Sequence, residues 1–240
     1  MAGHSKWKNI QHRKGAQDAK RGKIFTKIAK EIAVAAKLGG DDVASNPRLR
    51  LAVTKARAAS MPKDNIERAI KKGMGGNDGS DYTEKQYEGY GPGGVAVIVE
   101  CLTDNINRTV SDIRHAFTRF GGNLGTDGSV SWMFNLKGVI VFDKEKITDY
   151  DALFEAAIEN GADDVVEQDN VYEITCSADD FNGLKEAIDA LNLEPDVAEI
   201  TKIPENYTQV EEQKIESLHK MIDLLEDNDD VQNVYHNAEI

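Results

Sequence analysis

Residues 139–203 carry a complete β-α-β-β-α-β series, and the fragments on either side of it are each incomplete. Strands are expected at 139–142, 165–168, 171–176 and 197–203, where β-branched and other apolar residues dominate. Helices are expected near 150–160 and 180–192, the second with Phe181, Leu184, Ile188 and Leu191 at 3-4-3 spacing. Asp169-Asn170 reads as a two-residue turn between the middle strands, and Pro204 closes the series. Before it, residues 95–134 read as β-α-β. Val95, Val97 and Val99 alternate, and Val110, Ile113, Phe117 and Phe120 mark a helix over about 107–120. The loop GGNLGTDG then leads to a strand with Val130, Trp132 and Phe134 on one face. After the series come a helix with Ile215, Leu218, Ile222 and Leu225 and a strand over 231–235.

A lone helix–strand pair buries its apolar stripe poorly. The flanking fragments are therefore read as halves of one split ferredoxin-like domain with a second one inserted. The alternative is three consecutive domains with a loose C-terminal hairpin. The expected fold class is α+β: an N-terminal three-helix domain followed by two ferredoxin-like α/β domains, one inside the other. In residue terms these are a basic helical domain over 1–77, a split α+β domain over 78–135 plus 205–240, and an inserted domain over 136–204.

The N-terminal part has a helical period. Over 17–38, Ile24, Ile28, Ile32 and Ala35 share one side, while Lys20, Lys23, Lys27, Lys30 and Lys37 share the opposite one. Gly39-Gly40 ends this helix. Asn46 as N-cap with Pro47 at the first helical position opens a second, to about Ala59. Pro62 and the Asp64/Glu67 spacing start a third, which Gly73 closes. Residues 73–94, GMGGNDGSDYTEKQYEGYGPGG, read as a polar, glycine-rich connector.

Charge divides the chain at the same place. Residues 1–75 carry 18 Lys+Arg against 6 Asp+Glu, and residues 76–240 carry 11 against 36. The sequence pI of about 4.9 thus averages two opposite bodies. So many cations in one small domain repel one another without a polyanion, and phosphates that displace condensed counterions are the natural match. The expected nucleic-acid-binding residues are Lys6, Trp7, Lys8, Arg13 and Lys14 in the tail and Lys20, Arg21, Lys23, Lys27 and Lys30 on the first helix. Arg48, Arg50, Lys55, Arg57, Lys63, Arg68, Lys71 and Lys72 on the next two complete the set. Trp7 either stacks on a base or packs on the helical core. A rival partner for the basic domain is the chain's own acidic half.

Signals of catalysis are weak. His4, His12, His115, His219 and His236 show no ligand spacing, so no metal is expected. Cys101 and Cys176 fall in expected strands and read as buried thiols of a reducing compartment. Asp163-Asp164 and Asp179-Asp180 are placed in turns or at helix starts. GYGPGG precedes a strand, whereas phosphate-binding loops follow one, so it reads as a turn that launches the strand. Asn105 or Asn107 reads as an N-cap beside Asp104 and Arg108. The first 15 residues lack the apolar run of a secretory signal, and no uncharged run reaches the length of a membrane span. The expectation is a non-enzymatic cytoplasmic protein with no cofactor and no small-molecule substrate, and with room for a protein partner on the acidic domains.

The segments MAGHSKWKNIQHRKGAQDAKRGKIFTK, NPRLRLAV, MPKDNIERAIKKG, EGYGPGGVAV and GGNLGTDGSVSWMF closely resemble the YebC/PmpR family over essentially the full length. The resemblance implies three domains, one helical and two α/β, and a DNA-binding transcriptional regulator. Similarity to the mitochondrial translational activator of cytochrome oxidase implies an alternative, a ribosome-associated activator that relieves stalling on proline-rich segments. DNA is thus the implied partner, with ribosomal RNA the alternative. A start directly at the family motif implies a bacterial, cytoplasmic member.

Overall fold

The structure, a computed structural model, describes residues 21–75, 82–168 and 170–239. The described residues divide into two compact units, one of Trp132–Tyr207 and one of the described residues from Arg21 to Ser131 and from Thr208 onward.

Among the described residues the second unit opens with three helices: α1 (Arg21–Gly39), α2 (Pro47–Ala58) and α3 (Lys63–Gly73). Asn46 organises the first turn. Its Oδ1 accepts from the Leu49 amide at 3.0 Å, and its Nδ2 donates to the carbonyls of Ala35 and Gly40, both at 2.8 Å. One buried side chain therefore caps α2 and ties it to the end of α1. Ile28, Ile32, Leu49, Val53, Met61 and Ile66 form the core, with alanines filling the remainder. Gly73 lets α3 lie close on α1, because a Cβ there would meet the Ala33 carbonyl oxygen at 2.2 Å. At the start of α3, Pro62 occupies the cap position and makes no side-chain cap hydrogen bond.

The same unit continues as a four-stranded sheet in the order β3-β1-β2-β9. Its strands are β1 (Thr83–Tyr90), β2 (Ala96–Thr103), β3 (Asn123–Leu124) and β9 (Val231–His236); α4 (Ile106–Arg119) and α7 (Glu212–Glu226) lie against it. Val97, Val99, Ile113, Phe117, Leu218, Met221, Ile222 and Val234 fill the space between sheet and helices. Here two expectations are corrected. Residues 83–90 are not connector but a strand, paired antiparallel with the whole of β2. Residues 130–134 do not form one strand either: Ser131–Met133 is a 3₁₀ turn, Trp132 is 69% exposed, and Phe134 opens a strand of the other unit. The hairpin turn between β1 and β2 is GPGG, with Gly93 at φ 81°, and it launches β2 as expected.

The corrected strand completes the topology. The order β3-β1-β2-β9 is that of a ferredoxin-like sheet whose third strand comes from ahead of the first instead of after the second. In the place where that strand would ordinarily follow, the chain enters its other unit. On its return, β8 (Thr208–Gln209) pairs parallel with β10 (Ala238–Glu239). Asn237 fastens this junction, its Oδ1 accepting from the Ala96 amide at 2.8 Å and its carbonyl from the Thr208 amide at 2.7 Å.

The unit of Trp132–Tyr207 contains β4 (Phe134–Asp143), α5 (Tyr150–Glu159), β5 (Ala162–Glu167), β6 (Val171–Ser177), α6 (Phe181–Ala190) and β7 (Val197–Pro204). Its sheet order, β5-β6-β4-β7, is antiparallel throughout and ferredoxin-like. Ile140, Phe142, Leu153, Ala157, Ile174, Leu184 and Ile188 form its core. The Gln168 amide donates to the Val171 carbonyl across the turn between β5 and β6; Asp169 lies outside the described residues. Asp163 and Asp164, expected in a turn, are residues of β5. Cys101 and Cys176 are free and buried, one in each unit. Burial pushes the Cys101 thiol up to about 12, so it is an inert core residue.

The loop between α4 and β4 is held by one carboxylate. Glu88 on β1 is buried, and it accepts from the amides of Gly128 at 3.0 Å, Val130 at 2.9 Å and Ser131 at 2.8 Å. Burial pushes its pKa up, but these three donors and Gln86 outweigh that and hold it below the usual glutamate value. Glu88→Ala leaves the three amides without this acceptor and is expected to destabilise the protein by about 3 kcal/mol, read from the denaturant midpoint. Because the folded pKa is depressed, the carboxylate stabilises above the unfolded pKa, and that contribution is lost as pH falls through the folded one. The gap between wild type and Glu88→Ala should therefore narrow in acid. A pH-independent gap contradicts the assignment.

Candidate nucleic-acid interface

The lysines of α1 are divided from the other candidates by what they touch. α7 ends without a basic residue in its last turn, so the negative end of its dipole and its terminal carbonyls need partners from elsewhere. α1 supplies them. Lys27 Nζ donates to the Glu226 carbonyl at 2.7 Å and Lys23 Nζ to the Asp227 carbonyl at 2.8 Å. Lys30 Nζ donates to the Asp229 carbonyl at 2.9 Å and to Asp230 Oδ1 at 2.7 Å. Val34, on the same side of α1, is buried. Burial pushes the Lys27 pKa below the usual lysine value, with Glu226 and Asp229 opposing the shift.

Asp230 is the hub of this contact. Its side chain is 4% exposed and that of Lys30 is 11% exposed. Oδ2 accepts from Arg108 at 2.6 Å and from the Thr109 hydroxyl at 2.8 Å, both on α4. The Asp230 carbonyl accepts from the Leu102 amide of β2 at 2.8 Å. Burial acts to raise the Asp230 pKa, but the hydrogen bonds from Lys30, Arg108 and Thr109 prevail and bring it down to about 2. Tyr82, just before β1, adds a second tie. Its ring centroid lies 5.5 Å from Lys30 Nζ and 5.3 Å from Lys72 Nζ, and its hydroxyl accepts from Lys72 at 3.2 Å. Asn105 caps α4, as expected, by accepting from the Arg108 amide.

The expected basic face of α1 therefore has partners within the chain. Lys23, Lys27 and Lys30 bond to the acidic C-terminal segment, which the sequence offered as a rival partner for the basic domain. Arg48 pairs with Glu84 of β1, Lys55 with Glu31 at 3.0 Å and Lys63 with Glu67 at 3.6 Å. Arg50, Arg57, Arg68 and Lys71 are exposed on α2 and α3, and among the described residues none pairs with a carboxylate. Arg50 donates to the Ala44 carbonyl, and Arg68 to the Asp64 carbonyl and the Asn65 amide oxygen. Lys6, Trp7, Lys8, Arg13, Lys14, Lys20 and the Arg21 side chain lie outside the described residues.

Sequence reasoning missed Asp230, Arg108 and Tyr82 as partners of the lysines. The run EDNDD at 226–230, directly after an amphipathic helix with no terminal cation, was the available signal. No group of three or more metal-ligating side chains occurs among the described residues, and no described helix is long and apolar enough to cross a membrane.

Asp230→Asn leaves Lys30 and Arg108 without their shared charge partner and is expected to cost about 3 kcal/mol, measured by thermal or denaturant unfolding. The depressed pKa makes Asp230 stabilising above its unfolded value, and this is lost as pH falls toward 2. The cost of Asp230→Asn should thus shrink over that acidic window. An equal cost at pH 7 and pH 2 contradicts the account.

Comparison with known proteins places the chain. Residues 5–76 match the model described as the TACO1/YebC protein N-terminal domain, and residues 82–238 the one described as the TACO1/YebC second and third domain. A "probable transcriptional regulatory protein" of Syntrophotalea carbinolica is 60% identical over 240 residues, covering 100% of this chain and 96% of that one. A relative with the same description in Geobacter sp. (strain M21) is 56% identical with the same coverage. The crystal structure of a conserved hypothetical protein from Aquifex aeolicus, 45% identical, superposes with a TM-score of 0.82 over 92% of this chain and 91% of that one. With both family models matched in order and relatives identical at more than half of their positions, the chain belongs to the TACO1/YebC family.

Proposed function

We propose that this chain is a non-enzymatic, cytoplasmic transcriptional regulator that binds DNA through the outward cations of its helical domain. The reading rests on one observation: Arg50, Arg57, Arg68 and Lys71 are exposed without a carboxylate partner among the described residues, while Lys23, Lys27 and Lys30 bond to the segment at and after the end of α7. Arg50 and Arg57 lie seven residues apart, on one side of α2, and Arg68 and Lys71 lie on the side of α3 away from Ile66 and Ala69. Two short rows of guanidinium and ammonium groups suit a phosphate backbone, which positions a protein without reading bases. The basic tail, with Lys6, Lys8, Arg13 and Lys14 around Trp7, adds charge to the same domain. The names of the relatives support regulation of transcription as the outcome.

With about five to seven phosphates neutralised, log K should fall against log salt with a slope of roughly −4 to −6. Replacing Arg50 and Arg57 by Glu should weaken binding to unrelated duplexes alike, by tenfold or more, and reduce the slope by about 2. Fluorescence anisotropy across a salt series reads both. Wild-type affinity in the double variant, or co-sedimentation with ribosomes and no measurable affinity for any duplex, would overturn the DNA reading.

A further inference from the structure

The unit of Trp132–Tyr207 is the most acidic part of the molecule, with 5 lysines and no arginine against 19 Asp+Glu. On α5 its apolar surface extends past its core. At about 100° per residue from Tyr150, buried Leu153 and Ala157 fall near 300–340° and Phe154 and Ile158 near 40–80°. Phe154 is 42% exposed and Ile158 48% exposed. The ridge continues through aromatic contacts, with the Tyr150 ring 6.0 Å from Phe154 and 4.6 Å from Tyr172. Asp151, Glu155 and Glu159 flank it on the solvent side of α5, and Asp164 lies on the neighbouring edge strand. Among the described residues no cation pairs with any of these four, although Lys137 and Lys144 pair with Asp163 and Glu167 nearby.

We infer that this face of α5 is a docking surface for a cationic amphipathic helix of a partner protein. Phe154 and Ile158 receive its apolar side, and Asp151, Glu155 and Glu159 its lysines and arginines. Charge selects this occupant. Nucleic acid and anionic lipid are repelled by the unit's excess of carboxylates, and a second copy would bring the same carboxylates face to face. The inference is independent of how the helical domain binds DNA.

The test uses the full chain and two synthetic 18-residue peptides of leucine and lysine with equal composition, one amphipathic as a helix and one scrambled. The amphipathic peptide should bind at least tenfold more tightly than the scrambled one. Phe154→Ser with Ile158→Ser, and separately Glu155→Lys with Glu159→Lys, should each weaken its binding at least tenfold while leaving DNA affinity unchanged. Amide chemical shifts of the wild-type protein give the same test without substitution, since the peptide should move residues 150–167. Equal binding of the two peptides, unchanged binding to the serine variant, or shifts confined to other elements overturns the proposal. So does a wild-type dimer in sedimentation that the serine variant dissolves, which would assign the face to self-association.

Discussion

Three ammonium groups of α1 set against the end of α7 fix how the helical domain joins the sheet that follows it. The helix brings a partial negative charge and free carbonyls, and the acidic segment after it adds the carboxylates of Asp227 and Asp230. A surface ion pair contributes little, but Asp230 is buried, its partner Lys30 is largely shielded, and Asp230 also accepts hydrogen bonds from Arg108 and Thr109. The apolar cores of the helices and of the sheet are separate clusters, and at this junction the charge contacts lie beside the buried Val34.

This arrangement explains how a domain so rich in cations stays folded. Part of its charge is neutralised from within by residues far away in sequence, as with Lys30 and Asp230, 200 positions apart. Part is matched locally, by Glu31, Glu67 and Glu84. What is left outward on α2 and α3 forms the surface on which the proposed DNA contact rests. Lysines that look alike in the sequence therefore have different surroundings: Lys23, Lys27 and Lys30 bond to the segment at the end of α7, whereas Lys71 is exposed without a carboxylate partner among the described residues.

The inserted series of strands and helices was legible because its pattern is complete and its apolar residues recur at regular spacing. The return of α7 and β9 to the first sheet was legible as well, since neither can bury its apolar stripe alone. β1 was not. Its residues, TEKQYEGY, are polar and half exposed, and neighbouring glycines gave it the composition of a linker. The alternation at Val130, Trp132 and Phe134 suggested a strand that Glu88 prevents by taking the amides of Val130 and Ser131 for itself. The roles of the lysines were hidden for a different reason. A helical projection shows which side a charge occupies but not which distant segment lies opposite it.

The most direct measurement is the reactivity of individual lysines, read by limited amine labelling and mass spectrometry with and without DNA. Lys27 and Lys30 should label slowly in the free protein and be unaffected by DNA, because their ammonium groups are already held by Glu226, Asp229 and Asp230. Lys71 should label fast in the free protein and become protected when DNA is added. Labelling of Lys27 and Lys30 as fast as Lys71, or protection by DNA confined to α1, would contradict the division of the basic domain into a structural face and a binding face.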